Sequence, residues 1–144
     1  MRTEPQCSER GTYMCTDKRC QIGPRIIQGN IFTSTSMGRT YFINAKFDCN
    51  SCNVVYLLTC SVCKLQYVGS TNNVRLRMNN HRSRIRSHFS KTNEYDDELI
   101  IKHYNRPGHS ESDFRLQIID HCDPERPTER EAFWQYKLCT LLRH

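Results

Sequence analysis

Residues 54–69 read VVYLLTCSVCKLQYVG, two valine- and tyrosine-bearing stretches on either side of a C-x-x-C. Short runs of β-branched and aromatic residues, parted by small polar ones, predict the two strands of a hairpin. If Ser61 and Val62 make a two-residue turn, antiparallel register sets Cys60 opposite Cys63 and Tyr56 opposite Tyr67. Opposed residues share a face with Cβ atoms about 5 Å apart, so the two phenols would lie side by side. Such a pair can serve simply to stabilise a sheet. Ser-Val is a poor sequence for a tight turn, however, which calls for another force at the hairpin tip.

A metal ion gripped by Cys60 and Cys63 would supply that force, because two thiolates at this spacing form a knuckle that fixes the loop. Cys49 and Cys52 form a second C-x-x-C, but the strand between Cys52 and Cys60 spans roughly 26 Å when extended. One ion cannot serve both pairs. For the hairpin tip the candidate partners are His103 and His109 in IKHYNRPGHS, which a third strand antiparallel to the first would bring beside Cys60; solvent-exposed loop histidines are the alternative. Cys7, Cys15, Cys20, Cys49 and Cys52 are left as candidates for a second zinc site joining the first residues to the hairpin base. Cys122 and Cys139 stand among apolar neighbours and read as small core residues.

With 144 residues the chain suits one domain with a core and a smaller appendage. Nine cysteines without a secretory leader argue for reduced, metal-binding thiols in an intracellular setting rather than for disulfides. No apolar run reaches the length of a membrane span, so no membrane partner is expected. A net charge of +6 favours an anionic partner without identifying one.

Outward from the hairpin the pattern is α+β. Residues 1–48 read as an irregular, cysteine-bearing linker with at most short strands, and 49–144 as the main domain. Within the latter, NNVRLRMNNHRSRIRSHF (72–89), DDELIIKHY (96–104) and TEREAFWQYKLCTLL (128–142) predict helices, and SDFRLQIID (112–120) predicts a third strand. Together they make a small three-stranded antiparallel sheet flanked by helices. On the first helix Val74, Met78 and Ile85 form a stripe toward the sheet, and Arg77 and His81 lie on or beside it. An arginine held against a sheet needs an anion, and a phosphate suits it. Arg75, Arg82 and Arg86 share another edge, with Arg84 and His88 nearer Arg77; these are either a solvated helical face or a phosphate-tracking surface. Glu131, three residues after Thr128, fits a capping box, yet a carboxylate at a helix start also suits a hard divalent cation. Phe133, Trp134 and Leu138 read as core.

The order Tyr56, Tyr67-Val68-Gly69, Arg77, His81 and Glu131 resembles the GIY-YIG nucleases over about residues 54–142. The C-x-x-C between the tyrosine motifs, HYNRPGH and REAFWQYKL are similar to the endonuclease domain of Penelope-like retroelements, and CTDKRC and FDCNS resemble the cysteine-bearing linker ahead of it. The first motif lacks the usual leading glycine, and Gly23 stands where the relatives commonly carry another cysteine. The resemblance implies a DNA endonuclease that nicks a double-stranded target to prime reverse transcription, using magnesium or manganese. In it, Tyr56 is the general base or a relay to one, and Tyr67 hydrogen-bonds phosphate or water. Arg77 stabilises phosphoryl charge, His81 positions Tyr56 or shares its proton, and Glu131 binds the catalytic metal. One or two structural zinc ions, a nuclear location and an upstream reverse transcriptase in the same polyprotein, with its RNA, belong to the same expectation. The chain ends at LCTLLRH, ahead of the P-x-G-L-N segment expected in that family, which keeps open a zinc-bound DNA-tethering module that no longer cuts. A branched-DNA repair nuclease is a further alternative.

Overall fold

The computed structural model describes residues 10–87 and 95–140. Its centre is a three-stranded antiparallel sheet in the order β6-β5-β7, made of β5 (Val54–Cys60), β6 (Gln66–Thr71) and β7 (Phe114–His121). Helices α1 (Val74–Ser87), α2 (Tyr95–Tyr104) and α3 (Pro127–Leu138) flank it, and four short strands precede it: β1 (Gly11–Thr12), β2 (Ile31–Thr33), β3 (Thr40–Phe42) and β4 (Lys46–Phe47). The α+β arrangement expected from the sequence is present. Residues 88, 89, 141 and 142 of the expected helices lie outside the described residues, as does Cys7.

β5 is the central strand and is buried along its length except at Thr59. Its near-continuous apolar sequence follows from that position, since a central strand covered on both faces has no solvent side. The hairpin register differs from the simple two-residue turn. Tyr56 stands opposite Gly69 and Leu58 opposite Tyr67, and Cys60 N–H donates to the Leu65 carbonyl at 2.9 Å. The turn is longer because Ser-Val cannot supply the two positive φ angles of the tight form. Lys64 instead takes φ 69°, with its N–H donating to Cys60 O at 2.9 Å. A slip of two residues keeps every side chain on its face, so Tyr56 and Tyr67 become diagonal neighbours, ring centroids 6.2 Å apart.

α1 starts after Asn73, whose side-chain oxygen accepts the Leu76 N–H at 2.9 Å. Val74, Met78, His81 and Ile85 form its buried face. α3 shows no capping box: Pro127 opens it and Arg126 at its N-cap makes no side-chain cap. Glu131 sits further along and points elsewhere. Leu138 is fully buried, but Phe133 is 39% exposed and stacks under Arg130, so it is a surface residue rather than core. Cys139 is likewise exposed rather than buried. It takes the left-handed conformation that ends α3, where Thr140 N–H reaches Gln135 O and Cys139 N–H reaches Tyr136 O.

The first segment is packed into the same core: Ile22, Phe32, Ile43 and Phe47 are buried with β5 and β7 residues. Its backbone covers the outer edge of β7. Ile27 N–H donates to Leu116 O at 3.0 Å, and the Thr12 hydroxyl both donates to Ile118 O at 2.8 Å and accepts from Ile118 N–H at 2.9 Å. Thr12 is fully buried and lies next to the place where β7 slips register against β5. Arg25 adds a side-chain clamp, its guanidinium 4.3 Å above the Phe114 ring and paired with Glu111 at 2.5 Å.

Thr12→Val keeps the shape and removes both hydrogen bonds, leaving a buried N–H and C=O of Ile118 unpaired. The expected loss is about 1–3 kcal/mol of stability, read from denaturant unfolding of the two proteins. A Thr12→Ser protein, which keeps the hydroxyl, should lose markedly less.

Candidate active site

Tyr56 is fully buried, and its hydroxyl lies 3.1 Å from His81 Nε2, itself 2% exposed on the inner face of α1. A strand and a helix thus hold the pair by packing on both sides. When the phenol donates to Nε2, the imidazole carries its own proton on Nδ1. The Tyr56 ring crosses directly over Gly69. A Cβ at Gly69 would meet the Tyr56 hydroxyl at 2.6 Å and the Tyr67 ring at 2.9 Å. The glycine of the second motif is there because the phenol occupies the space of its side chain.

From Gly69 the strand leads to the carboxylate. Ser70 Oγ donates to Glu131 Oε1 at 2.6 Å, and Gln135 Nε2, one helical turn on, donates to Glu131 Oε2 at 3.1 Å. Gln135 also donates to Val68 O at 3.2 Å, which ties this turn of α3 to β6. Ser70 and Gln135 were not singled out from the sequence. Ser70 follows the tyrosine motif directly and Gln135 lies at i+4 from Glu131, and those spacings are the signals that could have found them. Ser70 and Arg77 line a cleft of about 430 Å³ with Asn53, Asn73, Asn80 and Pro127. The cleft therefore offers an arginine and several amides on the same wall as Ser70, the serine that holds the carboxylate.

The outer arginines divide. Arg75 donates to Cys15 Sγ at 3.3 Å and to Asn50 Oδ1 at 2.9 Å, and Arg82 lies 3.6 Å from Glu111 with 14% of its side chain exposed. Both are drawn to groups of the chain itself, so they do not form a single open edge with Arg86. Arg86 is exposed and Arg84 half-buried. His88 lies outside the described residues.

The cysteines gather in two places. Ligand atoms of Cys60, Cys63, His103 and His109 all lie within 4.8 Å of one another, with Cys63 Sγ 3.5 Å from His103 Nε2. The antiparallel pairing of Cys60 with Phe114 brings the histidine loop to the hairpin tip. His109 Nδ1 donates to Pro107 O at 3.2 Å, while its Nε2 is buried without a hydrogen-bond partner. That leaves a lone pair on Nε2, the form of imidazole that ligates a metal. Burial pushes the Cys60 thiol up. Burial, the largest influence, acts to raise Cys63, but the neighbouring His109 imidazole, the Leu65 backbone and Cys60 together outweigh it and hold that thiol below its usual value. Two thiols and two imidazoles at these separations fit a tetrahedral zinc ion.

The second group contains Cys15, Cys20 and Cys49. Burial pushes Cys49 up to about 12, while at Cys15 burial also acts to raise the thiol but the hydrogen bonds from Arg75, the Asp17 backbone and the neighbouring cysteines together lower it. Cys52 is exposed and stands outside this group. The bend at 48–51, where Ser51 N–H bonds Asp48 O at 3.1 Å, directs Cys49 inward and leaves Cys52 at the surface.

The family described as GIY-YIG catalytic domain matches residues 52–140. No match was found among curated proteins or among solved structures.

Gly69→Ala should displace the Tyr56 ring from His81, because a fully buried phenol has nowhere to retreat. Forcing a methyl into such packing costs about 1–3 kcal/mol, seen as a lowered unfolding midpoint. The altered phenol should also appear as a changed tyrosine ultraviolet difference spectrum.

Proposed function

The chain belongs to the GIY-YIG catalytic domain family and is an endonuclease of that family; on that premise we propose that it nicks double-stranded DNA by metal-assisted hydrolysis, on behalf of a retroelement. The observation that supports the mechanism is the chain of contacts His81, Tyr56, Gly69, Ser70, Glu131, which joins a buried phenol–imidazole pair to an oriented carboxylate through Ser70, a wall residue of the polar cleft that Arg77 also lines.

In this reading the scissile phosphate enters the cleft beside Arg77, whose guanidinium stabilises the charge that grows on the phosphoryl oxygens. Tyr56 orients the attacking water and takes its proton, handing its own phenolic proton to His81 Nε2. Tyr67, 9% exposed on the same face, hydrogen-bonds the water or the phosphate. Ser70 and Gln135 keep Glu131 in one orientation, a hard oxygen donor set held next to Ser70 of the cleft wall. That donor set suits magnesium or manganese, which keeps most of its own waters. Bound at Glu131, the cation would polarise the phosphate and assist the leaving oxygen. Arg84 and Arg86 would track the flanking phosphates, with Arg75 and Arg82 adding to the positive field.

The two cysteine groups would hold structural zinc: Cys60, Cys63, His103 and His109 at the hairpin tip, and Cys15, Cys20 and Cys49 at the junction of the first segment with α1. What supports a retroelement role is the pattern of these residues, which resembles the Penelope-like endonucleases. A reverse transcriptase partner encoded upstream, its RNA and a nuclear site of action follow from the same resemblance.

Plasmid relaxation tests the nuclease mechanism. Supercoiled DNA with magnesium should be nicked by the wild type, and Glu131→Ala should lower the rate by at least about a hundredfold while DNA binding persists. Equal rates for the two proteins would remove Glu131 from the chemistry. Elemental analysis of the purified protein should find zinc, and Cys63→Ser should lose about one equivalent, together with several degrees of melting temperature. A folded, zinc-free wild type would sink the metal assignment.

A further inference from the structure

A second cavity, of about 520 Å³, is bordered by Gln135, the residue whose amide also donates to Glu131. Its walls come from the two ends of the chain. Met37, Arg39 and Tyr41 belong to the β2–β3 hairpin, and Gln135, Tyr136 and Lys137 to the last turns of α3. The hairpin tip is fastened to the helix end, since the buried Ser34 hydroxyl donates to Leu138 O at 3.0 Å. It is fastened to β6 as well, where Gln66 Nε2 donates to Thr33 O at 2.9 Å and Gln66 Oε1 accepts from Thr35 N–H at 3.0 Å. These bonds give the cavity a built wall on the hairpin side.

Among the described residues the lining joins aromatic and cationic groups and contains no carboxylate. Tyr41 is held rigidly, its ring stacked on Phe32 at 5.6 Å and meeting the Trp134 edge at 5.3 Å. Tyr136 is 77% exposed, an aromatic face turned to solvent. Arg39 and Lys137 are the charged groups of the lining. The carbonyl end of a helix is a poor place for a phosphate by itself. Here Leu138 O is capped by Ser34, and the Gln135 and Tyr136 carbonyls accept N–H groups from Thr140 and Cys139. The surroundings thus suit a flat, neutral ring inside, with its phosphates carried by the two cations outside.

Gln135 joins this cavity to the cleft, because the amide that borders it also holds Glu131 and Val68 O. Resting on the nuclease reading above, we propose that the cavity receives an unpaired nucleobase of the strand being cut, stacked on Tyr136, with its flanking phosphates on Arg39 and Lys137. A paired base presents only its edges in a groove, so a base must leave the stack to enter. Stacking of a base on an exposed aromatic ring is tolerant of sequence. The linker hairpin is then part of the DNA-binding surface, selecting DNA with a single-stranded interruption beside the cut.

The test compares binding of a fluorescein-labelled duplex bearing a short single-stranded gap with binding of the uninterrupted duplex, without added magnesium. Wild type should prefer the gapped DNA by about tenfold or more. Tyr136→Ala should abolish the preference and Tyr136→Phe should keep it, with unchanged melting and zinc content showing that both are folded. Arg39→Ala/Lys137→Ala should weaken binding and flatten its salt dependence. If wild type nicks plasmid but shows no preference, or keeps it in Tyr136→Ala, the cavity proposal falls and the nuclease reading stands. Wild type that neither binds DNA nor nicks it brings down both.

Discussion

A three-stranded sheet whose central strand is buried at all but Thr59 cannot cover its own edges, and that constraint organises the chain. β7 would present unpaired N–H and C=O groups on its outer side. The first segment supplies the cover through Ile27 and the Thr12 hydroxyl, and the Gln117 side chain of β7 donates in turn to Ile31 O of that segment at 2.8 Å. Residues that look irregular in sequence are therefore edge residues of the sheet in all but secondary structure. Their apolar side chains, Ile22, Phe32, Ile43 and Phe47, complete a core that the strands and helices leave open.

Legibility in the sequence followed the range of the interactions. The hairpin, the three helices and the third strand rest on local periodicity, so they could be read from short windows. The register of the hairpin could not, because it turns on which residue of the loop adopts a positive φ, and Lys64 is not a residue chosen for that role. The shared face of Tyr56 and Tyr67 survived the two-residue slip because side chains alternate with a period of two. The Cys60, Cys63, His103 and His109 group was legible from topology: antiparallel pairing dictates which loops meet at one end of a sheet. Arg75 and Arg82 were read as an open charged edge because helical spacing says nothing about Cys15 or Glu111, which arrive from remote segments.

Glu131 shows how one residue can satisfy a local rule and obey a distant one. Its spacing from Thr128 fits a capping box, but Pro127 takes over the start of the helix and needs no N–H partner there. The carboxylate, released from that task, lies one turn further in and accepts from Ser70 across to β6. The hydrogen bonds from Ser70 and Gln135 orient the group between strand and helix. The same turn of helix carries Gln135, whose amide holds strand and carboxylate together.

The bond from Ser34 to Leu138 spans 104 positions of sequence, and that from Thr12 to Ile118 spans 106. Such contacts close late, since loop-closure entropy must be overcome before they form. Synthesis imposes its own order, because the phenols, Arg77 and His81 leave the ribosome well before α3. A nascent chain can bring Cys60, Cys63, His103 and His109 together and form the tyrosine hairpin while it still lacks Glu131. The vectorial order of translation thereby leaves the Ser70 hydroxyl without its carboxylate partner until the last helix has been made.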